Sequence, residues 1–159
     1  MIQVAQFPSR VILGLSRPFI AGTHPDTNAP EVIGPLWGEM SKLYFSMSLD
    51  RSSNPIGVGA MWPDLTKGPG HMVYFAGYEV DSAPQDLGGL EVLEIEAANY
   101  AFVEHLGPID QLPSVISNFY TDLLPTSGIQ RRVGMDLELY AENEDPTQPT
   151  LVTIAAPVQ

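Results

Sequence analysis

The chain has 159 residues, 44% of them hydrophobic, with a mean hydropathy of +0.03 and a net charge of −12. This describes one globular domain with a sizeable core, rather than two domains or a disordered chain. The lack of cysteine excludes disulfides, thiolate catalysis and cysteine-held zinc, and the acidity sets the chain against phosphate backbones, so no direct nucleic-acid binding is expected.

The charge is unevenly spread. Residues 1–80 carry five basic and six acidic groups, whereas residues 81–159 carry two basic and thirteen acidic groups. Such a half is either a solvated acidic surface or a field that draws in cationic ligands or a basic protein. No apolar run reaches the ~18 residues of a membrane span, and the opening "MIQVAQFPSRVILGLS" has no basic segment leading into an apolar core. A cytoplasmic protein with no membrane contact is the expectation.

In chain order, "RVILGLSRPF" reads as a strand, rich in β-branched residues and bounded by turn formers. In "EVIGPLWGEMSKLYFSM" the residues Ile33, Leu36, Met40, Leu43 and Met47 recur at alternating steps of three and four, one face of a helix. "IGVGAMW" and "GHMVYFAGYEV" follow as strands, and "LEVLEIEAANYAFVEHLG" as a third strand-like stretch. A second helix over "IDQLPSVISNFYTDLLPTSG" repeats the first one's spacing in Ile109, Leu112, Ile116, Phe119 and Leu123. Pro35 and Pro113 are expected near the helix starts, where a missing N–H costs least. Asp110 is expected as an N-cap and Gly128 as a stop signal. "RRVGMDLELYAE", a polar turn and "TLVTIAAPV" complete the chain.

The order is strand, helix, two strands, and then the same again. This predicts an α+β fold of two strand-helix-strand-strand modules related by a pseudo-twofold axis, antiparallel sheets with one covering helix each. One domain spans 1–159, with repeat 1 at about 1–80 and repeat 2 at about 90–159. The two helical series are 76 residues apart, and the same offset carries Trp62 onto Glu138. Those two residues are therefore expected to face each other across a central groove.

Glu138 sits between Leu137 and Leu139 in "DLELYA". By strand alternation Val133, Met135, Leu137 and Leu139 share one face, which is expected to lie under a helix. Asp136, Glu138 and Tyr140 share the other, which faces either water or a cavity. A carboxylate in an aromatic-lined cavity would hold flat, apolar cations by charge, stacking and cation–π contact. The large aromatics are first of all core candidates. Tyr74 and Tyr78 share one strand face and Phe75 the other.

Several stretches resemble the GyrI-like small-molecule-binding family, which includes effector-binding domains of AraC-type and MerR-type transcription regulators. They are Tyr100-Ala101 running into His105-x-Gly107, then Glu138-x-Tyr140, and Ile154-x-x-Pro157-Val158. "FAGYEV" at 75–80 and Trp37 fit further positions, so the similarity covers nearly the whole chain in order. The resemblance implies a tandem SHS2-like fold with a ligand cleft between the modules and Glu138 as its acidic floor. Two departures stand out. Ala155 replaces a tyrosine found in several members, and Trp62-Pro63-Asp64 replaces the usual acidic-proline turn. Both point to a reshaped pocket.

The expected ligand-binding set is Glu138, Tyr140, Trp62, Trp37, Phe19, Tyr78 and Phe102. The expected partner is a hydrophobic or cationic small molecule, with multidrug or toxin sensing or sequestration as the role. Nothing resembles a helix-turn-helix, so a stand-alone binding module is expected. Two alternatives stay open from the same resemblance. One is a hydrolase of strained electrophilic, cyclopropanoid-type compounds, with Glu138 as acid or base and Tyr140 beside it. The other is an acidic module that binds a protein, as in the gyrase inhibition that named the family. His24, His71 and His105 are scattered without ligand spacing, so no metal is expected; no cofactor is called for, and no phosphate loop or nucleophile elbow is present.

Overall fold

The computed structural model describes residues 1–49, 55–141 and 149–159. The polar turn at 142–148 lies outside them. The strands are β1 (Gln3–Phe7), β2 (Arg10–Ile20), β3 (Gly57–Pro63), β4 (His71–Val80), β5 (Glu91–Ile95), β6 (Ala98–Leu106), β7 (Asp136–Ala141) and β8 (Leu151–Pro157). Helix α1 (Ala29–Ser46) follows β2. Between β6 and β7 the chain makes a single 3₁₀ turn (Ile109–Gln111), α2 (Leu112–Asn118), a π turn (Phe119–Leu123) and a last α turn, α3 (Leu124–Thr126).

All eight strands form one antiparallel, curled sheet in the order β1-β6-β8-β7-β3-β4-β2-β5. With its few helices this is an α+β fold. β3 and β7 meet at the middle, with Gly59 opposite Glu138 and Met61 opposite Asp136. The single run expected at 90–107 divides instead after Ile95. β5 pairs with β2 at one end of the order, and β6 pairs with β8 and β1 at the other. β1 was not anticipated, because its pattern of Gln and Ala around Val4 carries little strand signal. Both edge strands are only five residues long, which limits the exposed ladder. Pro18 is accommodated because β5 pairs with β2 only as far as Gly14, so no neighbour needs its missing N–H.

Three apolar clusters hold the sheet. On one face α1 covers Leu13, Leu15, Phe19, Tyr74, Ala76 and Tyr78 with Leu36, Met40 and Tyr44. On that same side the α2 region covers Ala101, Val103, Val152 and Ile154 with Leu112, Phe119 and Leu124. The third cluster fills the other face and, among the described residues, contains no helical one. Val58, Ala60, Phe75, Tyr100 and Leu137 gather there with Phe7 of β1 and Ile95 of β5, from strands at opposite ends of the order. A strongly twisted sheet can close a core on its own concavity in this way.

That third core reverses one expectation. Leu137 and Leu139 do not lie under a helix but in the strand-only core, and Glu138 and Tyr140 face the helices. Val133 lies before the strand and is 94% exposed. Three smaller expectations also change. α1 begins at Ala29, so Pro30 occupies its first turn and Pro35 lies inside the helix. Asp110 falls within the 3₁₀ turn and caps nothing. In the second helical stretch Ile109 is exposed, whereas Leu124 is buried. Leu124 N–H reaches back to Phe119 O in the π turn, shifting the inward face by one residue. Gly128 does end the stretch, at φ +76°. Among the described residues no helix is long and apolar enough to cross a membrane.

Gly14 and Gly77 oppose each other at the β2–β4 crossing. A Cβ on Gly14 would run into the carbonyl of Ala76 and the Cα of Gly77, both backbone atoms that cannot turn aside. Gly14→Ala is expected to cost about 3 kcal/mol or more by overpacking. Thermal denaturation should show the melting temperature falling by roughly 6–12 °C.

Candidate functional site

The period of two along β7 sets Glu138 and Tyr140 side by side on the helix-facing surface. β3 supplies the floor opposite them through two glycines. The Tyr74 phenol occupies the space where a Gly59 side chain would begin, whereas a Cβ on Gly57 would meet Tyr140 and Trp37 at ordinary contact distance. A Gly-x-Gly in a strand interior is the local signature of such a close approach. β4 brings Tyr74 and Tyr78 to the same surface, while α1 lowers Trp37 onto it.

The polar atoms form a short chain. Trp37 Nε1–H donates to Tyr74 Oη at 3.1 Å. Tyr74 in turn hydrogen-bonds Glu138, and Tyr140 Oη–H donates to Glu138 Oε2 at 2.7 Å. Rings close around these atoms. Trp37 stands edge-on to Tyr140 at 5.6 Å and to Tyr78 at 6.4 Å, and Phe19 stands edge-on to Tyr74 at 6.1 Å. Trp37 and Tyr140 are half-buried and form the outer layer; Glu138, Tyr74, Tyr78 and Phe19 are buried beneath.

Glu138 is the one buried charged residue among those described, at 8% exposure. Burial pushes its carboxyl above the usual range, opposed by the two phenol hydrogen bonds. The Tyr74 and Tyr140 phenols are also raised, first by burial and then by the neighbouring carboxylate. Among the described residues no cation pairs with Glu138. It is a carboxylate held by neutral donors inside an aromatic enclosure.

Two residues earlier on the same face, Asp136 is held differently. Arg131 Nη2 lies 2.6 Å from its Oδ1, and Tyr120 Oη–H donates to its Oδ2 at 3.1 Å. Burial raises the Asp136 carboxyl, and the Arg131 guanidinium opposes that rise.

The expected residues divide by face. Glu138, Tyr140, Trp37, Tyr78 and Phe19 come together. Trp62 and Phe102 do not, because both belong to the strand-only core on the opposite face. For Trp62 the cause is register. Gly59 and Met61 share the face of Glu138, so the next residue points away, and one position of slip between helix spacing and strand spacing turns a side chain through the sheet. Tyr74, which shares a strand face with Tyr78, joins the Glu138 group, and the two glycines were not singled out although their spacing is a signal of close approach. His105 bonds the carbonyl of Pro108 at 3.0 Å, closing the turn after β6. Among the described residues no three His, Asp or Glu side chains gather around a common metal position.

The chain belongs to the GyrI-like small molecule binding domain family, whose model matches residues 3–159. Solved structures share the fold at low identity. SAV2435, in a structure bound to tetraphenylphosphonium, is 18% identical with a TM-score of 0.72 over 100% of this chain and 94% of that one. A putative transcription regulation protein from Staphylococcus aureus MU50 is 16% identical, TM-score 0.67, over 100% and 98%. The EcmrR C-terminal domain is 17% identical, TM-score 0.59, over 100% and 97%. No curated protein matches the chain.

Glu138 leaves a signature in stability. Its native pKa lies above the ordinary 4.5, so the folded chain keeps a proton that the unfolded chain has released. Below that value both states are protonated; as pH rises from there to the native pKa, folding loses stability, and the loss then levels off. Glu138→Gln removes this linkage. Urea midpoints of variant and wild type should therefore diverge in favour of the variant as pH is raised above 4.5. A constant difference would mean that Glu138 titrates normally.

Proposed function

We propose that the domain binds hydrophobic aromatic cations in the enclosure around Glu138, with that carboxylate as the ligand's counter-charge. The observation that carries this is a buried carboxylate with phenol partners and, among the described residues, no paired cation, ringed by Trp37, Tyr74, Tyr78, Tyr140 and Phe19. Burying a charge without a counter-ion is costly, and an organic cation supplies the missing charge while its rings fill the aromatic enclosure. The net charge of −12 raises the local concentration of cations. Tetraphenylphosphonium on SAV2435 shows a protein of this fold holding a ligand of that class.

We read the domain, 1–159, as two SHS2-like modules meeting at the β3–β7 seam. The strand order supports this, running β4, β2, β5 outward on one side and β8, β6, β1 on the other. Stacking and one charge select a shape class more than a single compound, which suits multidrug sensing or sequestration. The ligand's arrival would be read by a partner protein or would simply remove the compound. Binding expels the proton that burial favours on Glu138, so affinity rises with pH.

Isothermal calorimetry with tetraphenylphosphonium and the neutral triphenylphosphine oxide tests this. Wild type should prefer the cation, and Glu138→Gln should weaken it by about tenfold or more while leaving the neutral compound unchanged. Equal loss of both ligands, or no binding of the cation by wild type, would overturn the reading. Water addition to a cyclopropanoid electrophile, present in wild type and lost in Glu138→Gln, would establish the hydrolase instead.

A further inference from the structure

Asp136 and Glu138 stand two residues apart on one face of β7, and both are carboxylates that accept a phenol hydrogen bond. The difference is that Asp136 has a cation. Arg131 pairs with it at 2.6 Å, and the Arg131 guanidinium carbon lies 5.6 Å from the centre of the Tyr120 ring. A carboxylate, a phenol donating to it and an aromatic ring within cation–π reach repeat the equipment of the Glu138 enclosure. Here a guanidinium from the chain itself takes the place of a ligand.

The way Arg131 is delivered fits an occupant rather than a core element. Its side chain is 48% exposed, against 14% for Asp136, so the acid is part of the wall and the cation enters from the solvent side. Its backbone is pinned to the end of the sheet by a bridge to Val158, and the next residue's N–H donates to Pro157 O at 2.9 Å. The head group therefore reaches Asp136 from a fixed base. Tyr120 also lies close enough to Glu138 for that carboxylate to raise its phenol, which places the two acidic positions in one neighbourhood.

We propose that Asp136 and Tyr120 form a second cation subsite of the same cleft, filled by Arg131, and that the two subsites together fit a compact aromatic dication. The two carboxylates are separated by a two-residue step along a strand, about 7 Å, so the ligand's charges should have a similar spacing. The proposal rests on reading Glu138 as a ligand counter-charge. With Arg131 in place Glu138 is the one of the two carboxylates without a cation among the described residues, which favours monocations. A dication would have to expel a tethered guanidinium, so Arg131 acts as the specificity determinant.

The test compares p-xylylenediamine, whose two ammonium groups flank one ring, with benzylamine, which has one. Both are titrated by calorimetry into wild type, Arg131→Ala and Arg131→Met, the last keeping an apolar stem over Tyr120 should the alanine variant fold poorly. In wild type the two amines should bind alike. In the Arg131 variants the diamine should gain about tenfold or more over benzylamine, and adding Asp136→Asn should erase the gain. An unchanged diamine-to-benzylamine ratio in the folded variants would overturn the subsite and leave the Arg131–Asp136 pair as a surface brace. Tetraphenylphosphonium titrated alongside separates the two ideas. If it binds wild type while the diamine gain is absent, only the second subsite falls; if it fails to bind wild type, the Glu138 reading falls on its own.

Discussion

The arrangement depends on keeping a carboxylate out of water with, among the described residues, only neutral donors around it. Glu138 lies on β7 at the middle of the sheet, and every element that meets there contributes to making that position tolerable. β3 contributes absence, since Gly59 leaves space for the Tyr74 ring. β4 and α1 contribute a relay from Trp37 through Tyr74. β7 itself contributes Tyr140, brought alongside by the two-residue strand period. Two phenol hydrogen bonds ease the cost of burial without cancelling it, and the carboxyl stays above its ordinary pKa. In the proposed reading, a ligand that brings positive charge makes up what this site lacks.

The curled sheet explains why such a residue can point toward the helices. In an open two-layer α+β domain the helix-facing side of a central strand would be its apolar side. Here the opposite face closes a core of its own, reaching from Phe7 of β1 to Ile95 of β5. Leu137 and Leu139 are satisfied there, which frees the helix side of β7 for polar work. The two helical regions cover the outer parts of that side, α1 over β2 and β4, and the α2 region over β6 and β8. The seam between β3 and β7 lies between them, and the unusual groups collect along it.

Two carboxylates on one strand face thus have different chemistry because of what stands opposite each. Asp136 meets a guanidinium as well as a phenol, whereas Glu138 meets phenols alone among the described residues. Backbone geometry makes them neighbours and equivalents; side chains from other elements make them different. Membership of the GyrI-like family accounts for the fold and for small-molecule binding.

Much was readable in the sequence, for reasons of periodicity. The three-and-four spacing of Leu36 and Met40 placed α1 over its core, and strand alternation put Glu138 and Tyr140 on one side. What alternation could not decide was which side of the sheet carried the helices, because a half-polar strand looks the same whether its wet face meets solvent or a helix-flanked cleft. Trp62 was misplaced for a related reason. An offset measured on helices carries no information about strand parity, and a slip of one residue reverses the face. Phe102 shared that fate because a strand's apolar residues look alike whichever core receives them. Tyr74 over Gly59, the division of residues 90–107 between the two ends of the sheet, and the pairing of Asp136 with Arg131 were decided only by tertiary structure. Each depends on contacts between segments whose meeting no local pattern encodes. The sequence by itself determined the elements and the periodic faces; the curl of the sheet decided that a glutamate between two leucines would be buried beneath tryptophan and tyrosine instead of exposed to water.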